Sequence, residues 1–213
     1  MKKLFLLLLA TLAVYTLDAQ EQGELRVGFN AGLAIPYHGR GLSADMDIRY
    51  NITDNFNAGV KAGLAAMIRE INDDYLNFNA SGMGSINTSA LITGDYYLNK
   101  GTSNFAPFIG GGLGCFSLIN IYISASQQDD FNINMNEFNP DFTFGGLVRG
   151  GFELSKLRVA LEFYLIPYTT LYDVNLEDIG RAANSYVNLS VGFYIGGGSW
   201  RKKLQPNSAN VFL

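Results

Sequence analysis

The sequence predicts an all-β protein, an eight-stranded antiparallel up-and-down transmembrane β-barrel. Three observations predict this fold. Eight segments of about ten or more residues alternate between apolar and polar side chains, which is typical of tilted strands that cross a membrane. Short turns and longer loops separate the segments, as they do in membrane barrels. The polar face carries glycines and charges of both signs, which favours a filled interior over a surface in water.

Two terminal regions lie outside the alternating segments. The start, MKKLFLLLLATLAVYTLDAQ, has two lysines before an apolar run, a pattern typical of a secretory signal peptide over residues 1–19. The barrel is expected over residues 20–198, and residues 199–213 are expected to form a short C-terminal periplasmic tail.

Cys115 is the single cysteine, which excludes an internal disulfide. The formal net charge of −4 does not indicate nucleic acid as a partner.

The alternation places each predicted strand. The eight strands span residues 24–36, 42–53, 56–69, 85–98, 105–118, 142–154, 157–168 and 185–197. The apolar positions of the first three strands include Leu25, Val27, Phe29, Leu33, Ile35, then Leu42, Met46, Ile48, Tyr50, then Phe56, Val60, Leu64 and Ile68. Charged residues and glycines occupy many of the positions between them, so each strand has one apolar and one polar face.

The later strands alternate less regularly, apart from the seventh. The fifth, FAPFIGGGLGCF, holds so many glycines that its facing stays open. The seventh, LRVALEFYLI, places Arg158, Glu162 and Tyr164 on one face and leucine, valine and phenylalanine on the other.

The connections differ in length on the two sides of the predicted barrel. Short turns fall at 53–55, 99–104 and 155–156. The opposite side has a brief loop near 37–41 and longer loops near 70–84, 119–141 and 169–184. Because the short turns of bacterial outer-membrane barrels face the periplasm, both chain ends are expected in the periplasm.

A soluble eight-stranded barrel would alternate in the same way, with its apolar face inward. Three sets of residues favour the membrane barrel. Polar-face glycines would leave room in a narrow interior: Gly28, Gly32, Gly59, Gly63, Gly145, Gly151 and Gly192. Aromatic residues end the apolar face beside the short turns, as in an interfacial girdle: Tyr50, Phe56, Tyr96, Phe105, Phe152 and Phe193. The polar-face charges balance: Arg26, Arg49, Lys61, Arg69, Arg149 and Arg158 against Glu24, Asp45, Asp47, Asp95, Glu153 and Glu162.

The turn at Ser155 and Lys156 predicts the register of the inward charges. A two-residue connection keeps both apolar faces outward and pairs Leu154 with Leu157. The predicted lumen charge pairs are Glu153 with Arg158, Arg149 with Glu162 and, by a similar count through the 53–55 turn, Asp47 with Lys61. Since an eight-stranded barrel is just wide enough for side chains to fill, we expect a polar, salt-bridged interior and not an open pore.

Two loose motifs carry a family resemblance: APFIGGGLG at 106–114 and GGFELSKLRVALEFYLIP at 150–167. With these motifs and the closing YVNLSVGFYIGGG, the chain resembles the PorT-like "outer membrane protein beta-barrel" family of Bacteroidota over about residues 22–198. The architecture is also similar to OmpA- and OmpX-type barrels. The resemblance implies a bacterial outer-membrane location. Such barrels often end on an aromatic insertion signal, whereas here the residues SWRKKLQPNSANVFL follow the last strand, so Phe193 and Phe212 are both candidates.

Three function classes follow from this interpretation. The first is a non-enzymatic envelope protein, structural or serving as an interaction platform through its outer loops. The alternative is a narrow channel or transporter for small or apolar solutes. The third is a lipid-modifying enzyme, because outer-membrane acylases and deacylases use eight-stranded barrels with a histidine and a serine near the outer rim. The single histidine, His38, lies in the first outer loop without a serine and aspartate constellation set by spacing. No metal motif or phosphate loop is present, so no cofactor is expected.

The predicted outer loops are acidic. Acidic loops of this kind are most simply a polar rim in contact with water. In the loop after the fifth strand, Asp129, Asp130, Glu137 and Asp141 also form a candidate weak cation site, because carboxylate oxygens are the ligands of Ca²⁺ and Mg²⁺. Such cations would bridge the loops to anionic lipopolysaccharide. Outer-membrane lipid and lipopolysaccharide are therefore expected partners. Other envelope proteins are also expected partners, through the outer loops.

Overall fold

The computed structural model describes residues 22–71, 81–99, 103–123, 140–172 and 177–197. These residues form ten β-strands: β1 (Leu25–Pro36), β2 (Gly39–Asn51), β3 (Phe56–Ile71), β4 (Ser81–Tyr97), β5 (Phe105–Ile123), β6 (Asp141–Leu154), β7 (Leu157–Leu165), β8 (Thr169–Tyr172), β9 (Asp178–Ala182) and β10 (Tyr186–Gly196). In this part of the chain there is no helix long and apolar enough to cross a membrane. The predicted signal peptide and C-terminal tail lie outside the described residues.

Eight of the strands close into an antiparallel barrel. Strands β1 to β7 pair in sequence order, and β10 closes the sheet between β7 and β1. The pairing of β4 with β5 joins the two halves without a free edge. The predicted eight-stranded up-and-down barrel is therefore confirmed.

The pairing also gives the stagger of the barrel. Stepping from Arg26 to its register partner on the next strand, and so on around the barrel, returns to β1 at Pro36, ten residues further along. The partners in order are Arg49, Gly59, Thr93, Gly112, Leu147, Tyr164 and Tyr186. With strands about 4.8 Å apart and a rise of about 3.3 Å per residue, this stagger implies a tilt of about 40° and a backbone radius of about 8 Å. Such an interior is filled by side chains.

The two ends of the barrel differ. The connections at 52–55, 98–104 and 155–156, together with the two chain ends, lie at one end, which we call the turn end. At the opposite end, the loop end, the connections are 37–38, 72–80, 124–140 and 166–185. Backbone hydrogen bonds from Gly23 to Asn51 and from Tyr194 to Lys156 hold the ends of β1 and β10 at the turn end.

The alternation that predicted the strands sets their two faces. In β7, Leu157, Leu161, Phe163 and Leu165 are exposed, whereas Arg158, Ala160, Glu162 and Tyr164 are buried. The predicted girdle residues Tyr50, Phe56, Tyr96, Phe105, Phe152 and Phe193 are all exposed on the outer face. The barrel is thus apolar outside and largely polar inside, the inverse of a soluble barrel.

The structure departs from the predicted elements mainly at the loop end. β4 begins at Ser81 and β5 continues to Ile123, because their backbone ladder extends beyond the predicted strand ends. The loop expected at 169–184 contains the β8–β9 hairpin, in which Thr169 pairs with Ala182. The open facing of the fifth strand is settled, since its even-numbered residues, including Phe108, point inward.

Candidate functional site in the barrel lumen

Ten charged side chains are buried together inside the barrel, and we call them the charge network. They are Arg26, Arg49, Lys61, Arg149 and Arg158 with Asp45, Asp47, Asp95, Glu153 and Glu162. Each lies within 4.0 Å of at least one oppositely charged member. They come from β1, β2, β3, β4, β6 and β7, so their ion pairs connect six of the eight barrel strands across the lumen.

Glu153 and Tyr97 form the centre of the network near the turn end. Glu153 Oε1 accepts hydrogen bonds from Arg26 Nη2, from Arg158 Nη1 at 2.7 Å and from the Tyr97 hydroxyl at 2.8 Å. The Tyr97 oxygen also accepts from Arg158 Nη1 at 3.0 Å and Arg49 Nη1 at 3.3 Å. A buried carboxylate and a buried phenol thus share three guanidinium groups, which offsets the cost of removing these charges from water.

Asp95 and Arg149 meet above a glycine. Arg149 donates from Nε to Asp95 Oδ1 at 2.7 Å and from Nη2 to Oδ2 at 3.0 Å, a bidentate pair. The two residues lie on β4 and β6, and Gly110 on β5 is the register neighbour of both. A Cβ atom on Gly110 would overlap Asp95 Oδ1, so the glycine provides the space for this contact.

A second centre forms around Lys61. Its Nζ lies 2.6 Å from Glu162 Oε1 and 3.1 Å from Asp45 Oδ2. Glu162 Oε2 also accepts hydrogen bonds from Asn188 Nδ2 at 2.9 Å and from the Tyr164 hydroxyl at 3.2 Å. Both oxygens of the Glu162 carboxylate therefore have partners, Oε1 in Lys61 and Oε2 in Asn188 and Tyr164.

The predicted charge pairs have the observed register but only partly the observed contacts. Glu153 is opposite Arg158, Arg149 opposite Glu162, and Asp47 opposite Lys61. Glu153 and Arg158 form an ion pair at 2.7 Å, whereas Arg149 Nη1 is 3.8 Å from Glu162 Oε1. The expected contact between Asp47 and Lys61 is wrong, because Asp47 binds Arg49 through Nε at 2.5 Å and Nη2 at 2.8 Å.

The physical reason is reach. Long side chains in a narrow barrel reach charges other than the one directly opposite: Arg49 binds Asp47 along the same strand, and Lys61 crosses the lumen to Glu162 on β7.

The predicted charge balance is also corrected. Glu24 precedes β1 and is exposed, so it does not face the lumen. Among the described residues, Arg69 is buried in addition to the ten network members. The buried charged residues are therefore six cations and five carboxylates in this part of the chain.

An apolar layer fills the lumen on the loop side of the charge network. It consists of Ala34, Ala65, Met67, Leu91, Phe116, Leu118, Leu147, Tyr164, Ile166 and Tyr186. The Tyr164 and Tyr186 rings stack at 4.5 Å with an interplanar angle of 9°. Along β3, β4, β6 and β7, these residues lie closer to the loop end than the charge-network residues of the same strand. An ion would therefore have to pass both the ion pairs and a layer without compensating charge.

Polar side chains attach the β8–β9 hairpin above this layer. Asn120 Nδ2 donates to Thr169 Oγ1 at 2.9 Å and to Asn184 Oδ1 at 3.0 Å. The Ser85 hydroxyl donates to Asn120 Oδ1 at 2.7 Å. β8 also pairs with β5 at Ile121 and Tyr172. These contacts hold the hairpin against the loop end of the lumen.

The predicted cation site is only partly within the described residues. Asp129, Asp130 and Glu137 lie outside them. Asp141 Oδ2 accepts a hydrogen bond from the Thr170 backbone N–H at 2.7 Å, so this carboxylate anchors β8. In the part of the chain that the structure describes, no group of three or more His, Cys, Asp or Glu side chains is arranged to hold a metal ion.

His38 lies in the two-residue turn between β1 and β2. Its φ of 51° is in the left-handed region, and its exposed ring contacts the Tyr37 ring at a centroid distance of 4.0 Å. The contacts of this exposed histidine therefore give it no recognisable catalytic partner among the described residues.

Comparisons with solved structures find small outer-membrane barrels. The N-terminal β-barrel domain of Pseudomonas aeruginosa OprF is 13% identical, with 83% of this chain and 100% of that chain covered and a TM-score of 0.43. The outer membrane protein OprG from the same organism is 13% identical, with 83% and 98% covered and a TM-score of 0.47. Neisserial surface protein A is 15% identical, with 82% and 97% covered and a TM-score of 0.45. No protein-family model matches the chain, and no curated protein matches it.

Proposed function

We propose that this protein is a non-enzymatic β-barrel of the bacterial outer membrane, with both chain ends in the periplasm. In this proposal it is a structural component or an interaction platform that presents its loop end to the exterior. Its lipid partners are the outer-membrane lipids and lipopolysaccharide. Membership of the PorT-like barrels of Bacteroidota remains part of the proposal.

The apolar exterior supports insertion into a membrane. Large apolar side chains are exposed on all eight barrel strands, for example Leu33, Leu42, Val60, Ile92, Leu113, Phe144, Leu161 and Ile195. Soluble monomers rarely expose a contiguous apolar patch of more than a few hundred Å², whereas a barrel in lipid needs an apolar band. Closure of the sheet also pairs the backbone groups that hydrocarbon could not solvate.

The filled lumen is the observation that best supports a scaffold that does not conduct ions. The charge network connects six strands, and the apolar layer lies between this network and the loop end. Displacing either would leave buried charges without partners or bring an ion into an apolar environment. This arrangement favours a rigid scaffold over the alternative role as a channel or transporter.

Two measurements test the proposal together. The purified protein should migrate faster on gels when unheated than when boiled, because a closed barrel resists unfolding by detergent. In planar bilayers the wild-type barrel should give no current steps above the lipid baseline. Recovery as a soluble periplasmic protein would contradict the membrane location. Stable current steps from the folded form would favour the channel alternative.

A further inference from the structure

Arg69 is the buried cation that the charge network does not neutralise. Each of the five cations in that network has a carboxylate within 4.0 Å. Arg69 is only 6% exposed, and no carboxylate among the described residues forms an ion pair with it. Its Nη1 donates to the backbone oxygen of Ala183, just after β9. Its Nε and Nη2 are buried without a hydrogen-bond partner in the described structure.

The two nitrogens without partners form one edge of the guanidinium group. Nε–H and Nη2–H point in parallel on that edge, which is the side-on geometry that binds an oxyanion with two hydrogen bonds. The bond from Nη1 to Ala183 holds the group by its other side. Gly39, the register neighbour of Arg69 on β2, leaves room for its stem, since a Cβ on Gly39 would come within 2.9 Å of Arg69 Cγ.

The position of Arg69 limits the direction from which an anion could arrive. Arg69 follows Phe56 of the girdle by thirteen residues on β3. At the tilt given above it lies about 32 Å further along the barrel axis, beyond an apolar band about 25 Å tall. Met67 of the apolar layer is the next inward-facing residue below it. Because Arg69 faces inward, an anion would reach it from the loop end of the barrel and not through the lumen below it.

We propose that the Nε and Nη2 edge of Arg69 binds a phosphate group at the loop end of the barrel. The group would belong to a lipid headgroup or to a free solute, and both sources present the same pair of acceptor oxygens. A bound anion would neutralise the one cation in excess among the buried charged residues described, and it would remove the cost of burying two guanidinium N–H groups without partners. This site goes beyond the proposed scaffold role.

Nuclear magnetic resonance of the arginine Nε–H groups tests the site. The full barrel is held in dodecyl maltoside micelles, which carry no anionic group. Inorganic phosphate is added to one sample and phosphatidylglycerol to another. The Arg69 Nε–H signal, assigned by its loss in Arg69→Lys, should move in a saturable way with at least one probe. Movement with phosphate alone identifies a free-solute site, and movement with the lipid alone identifies a headgroup site.

A matched control separates this response from general anion binding. Arg40 is an exposed arginine beside Ile68 on the neighbouring strand, and Arg40→Gln should leave the response of the Arg69 signal unchanged. Whichever probe moves the Arg69 signal should also raise the urea midpoint of the wild-type barrel but not that of Arg69→Gln. No movement of the Arg69 signal with either probe would overturn the proposal, and the titration itself is made on the wild-type protein, with Arg69→Lys used only to assign the signal. An equal gain in urea midpoint for Arg69→Gln would also overturn it.

Discussion

Asp95 is a carboxylate whose removal should strongly destabilise the barrel. Its buried side chain lies 2.7 Å from Arg149, 3.1 Å from Arg158 and 3.5 Å from Arg49. Asp95→Asn would leave these three guanidinium groups together with one counter-charge fewer. Two charges 4 Å apart interact by about 4 kcal/mol at an effective dielectric constant of about 20. Removing one partner of a buried ion pair costs about 3–5 kcal/mol. We therefore expect the free energy of unfolding to fall by about 3–5 kcal/mol.

A double-mutant cycle attributes part of this loss to one pair. Arg149→Gln should cost less than Asp95→Asn, because Asp95 keeps its contacts with Arg158 and Arg49. The coupling between the two changes should be about 0.5–3 kcal/mol. The coupling between Arg149 and Glu162 should be smaller, since their charged atoms are 3.8 Å apart.

In a urea titration, the fraction of protein that migrates as folded on unheated gels is measured at each urea concentration, and it gives these free energies of unfolding. Glu24→Gln is the control, because this carboxylate is exposed and its loss should change stability by less than about 0.5 kcal/mol. Additive effects of Asp95→Asn and Arg149→Gln would refute the reasoning. Full recovery of stability in Arg149→Glu with Glu162→Arg would refute it too, because that exchange places a glutamate beside Asp95 and an arginine beside Lys61.

Three further predictions concern single residues. Gly110→Ala should destabilise the barrel because its methyl would overlap Asp95, whereas Gly150→Ala, with its nearest atom at 3.6 Å, should be nearly neutral in the same urea titration. Ile92→Lys places a charge on the lipid-facing side and should lower stability in lipid vesicles by about 2–4 kcal/mol near mid-membrane. Ile179→Lys on the β8–β9 hairpin should have little effect, and equal tolerance of both changes would argue against a membrane barrel. His38→Ala should leave the acyl composition of cellular lipids unchanged by mass spectrometry, and a changed composition would support the enzyme class.

The strands and their register could be predicted because both follow from local chemistry. Strict alternation in β7 requires Arg158 and Glu162 to share a face, and a two-residue turn then pairs Leu154 with Leu157. The partners of long side chains could not be predicted in the same way. The contact between Arg149 and Asp95 joins strands that are not adjacent, and it depends on the missing side chain of Gly110.

Two parts of the lumen were missed for related reasons. Tyr97 is in phase with Asp95 on β4, so period-two counting places it inside, whereas the adjacent Tyr96 faces outward and belongs to the aromatic girdle. The excess cation was hidden because Glu24 continues the alternation of β1 although it lies just before the strand and is exposed. A strand end is set by hydrogen bonding, which alternation alone does not report.

The central claim is that the barrel faces lipid with its apolar side and buries its charges. Broadening of methyl resonances, measured on the wild-type protein in lipid nanodiscs, tests this claim most directly. A lipid-soluble paramagnetic probe should broaden the methyl signals of Leu113 and Leu161, which are 61% and 57% exposed. It should spare those of Leu91 and Leu147, which are each 2% exposed, and a water-soluble probe should broaden none of the four. Broadening of Leu113 and Leu161 by the water-soluble probe would contradict the account.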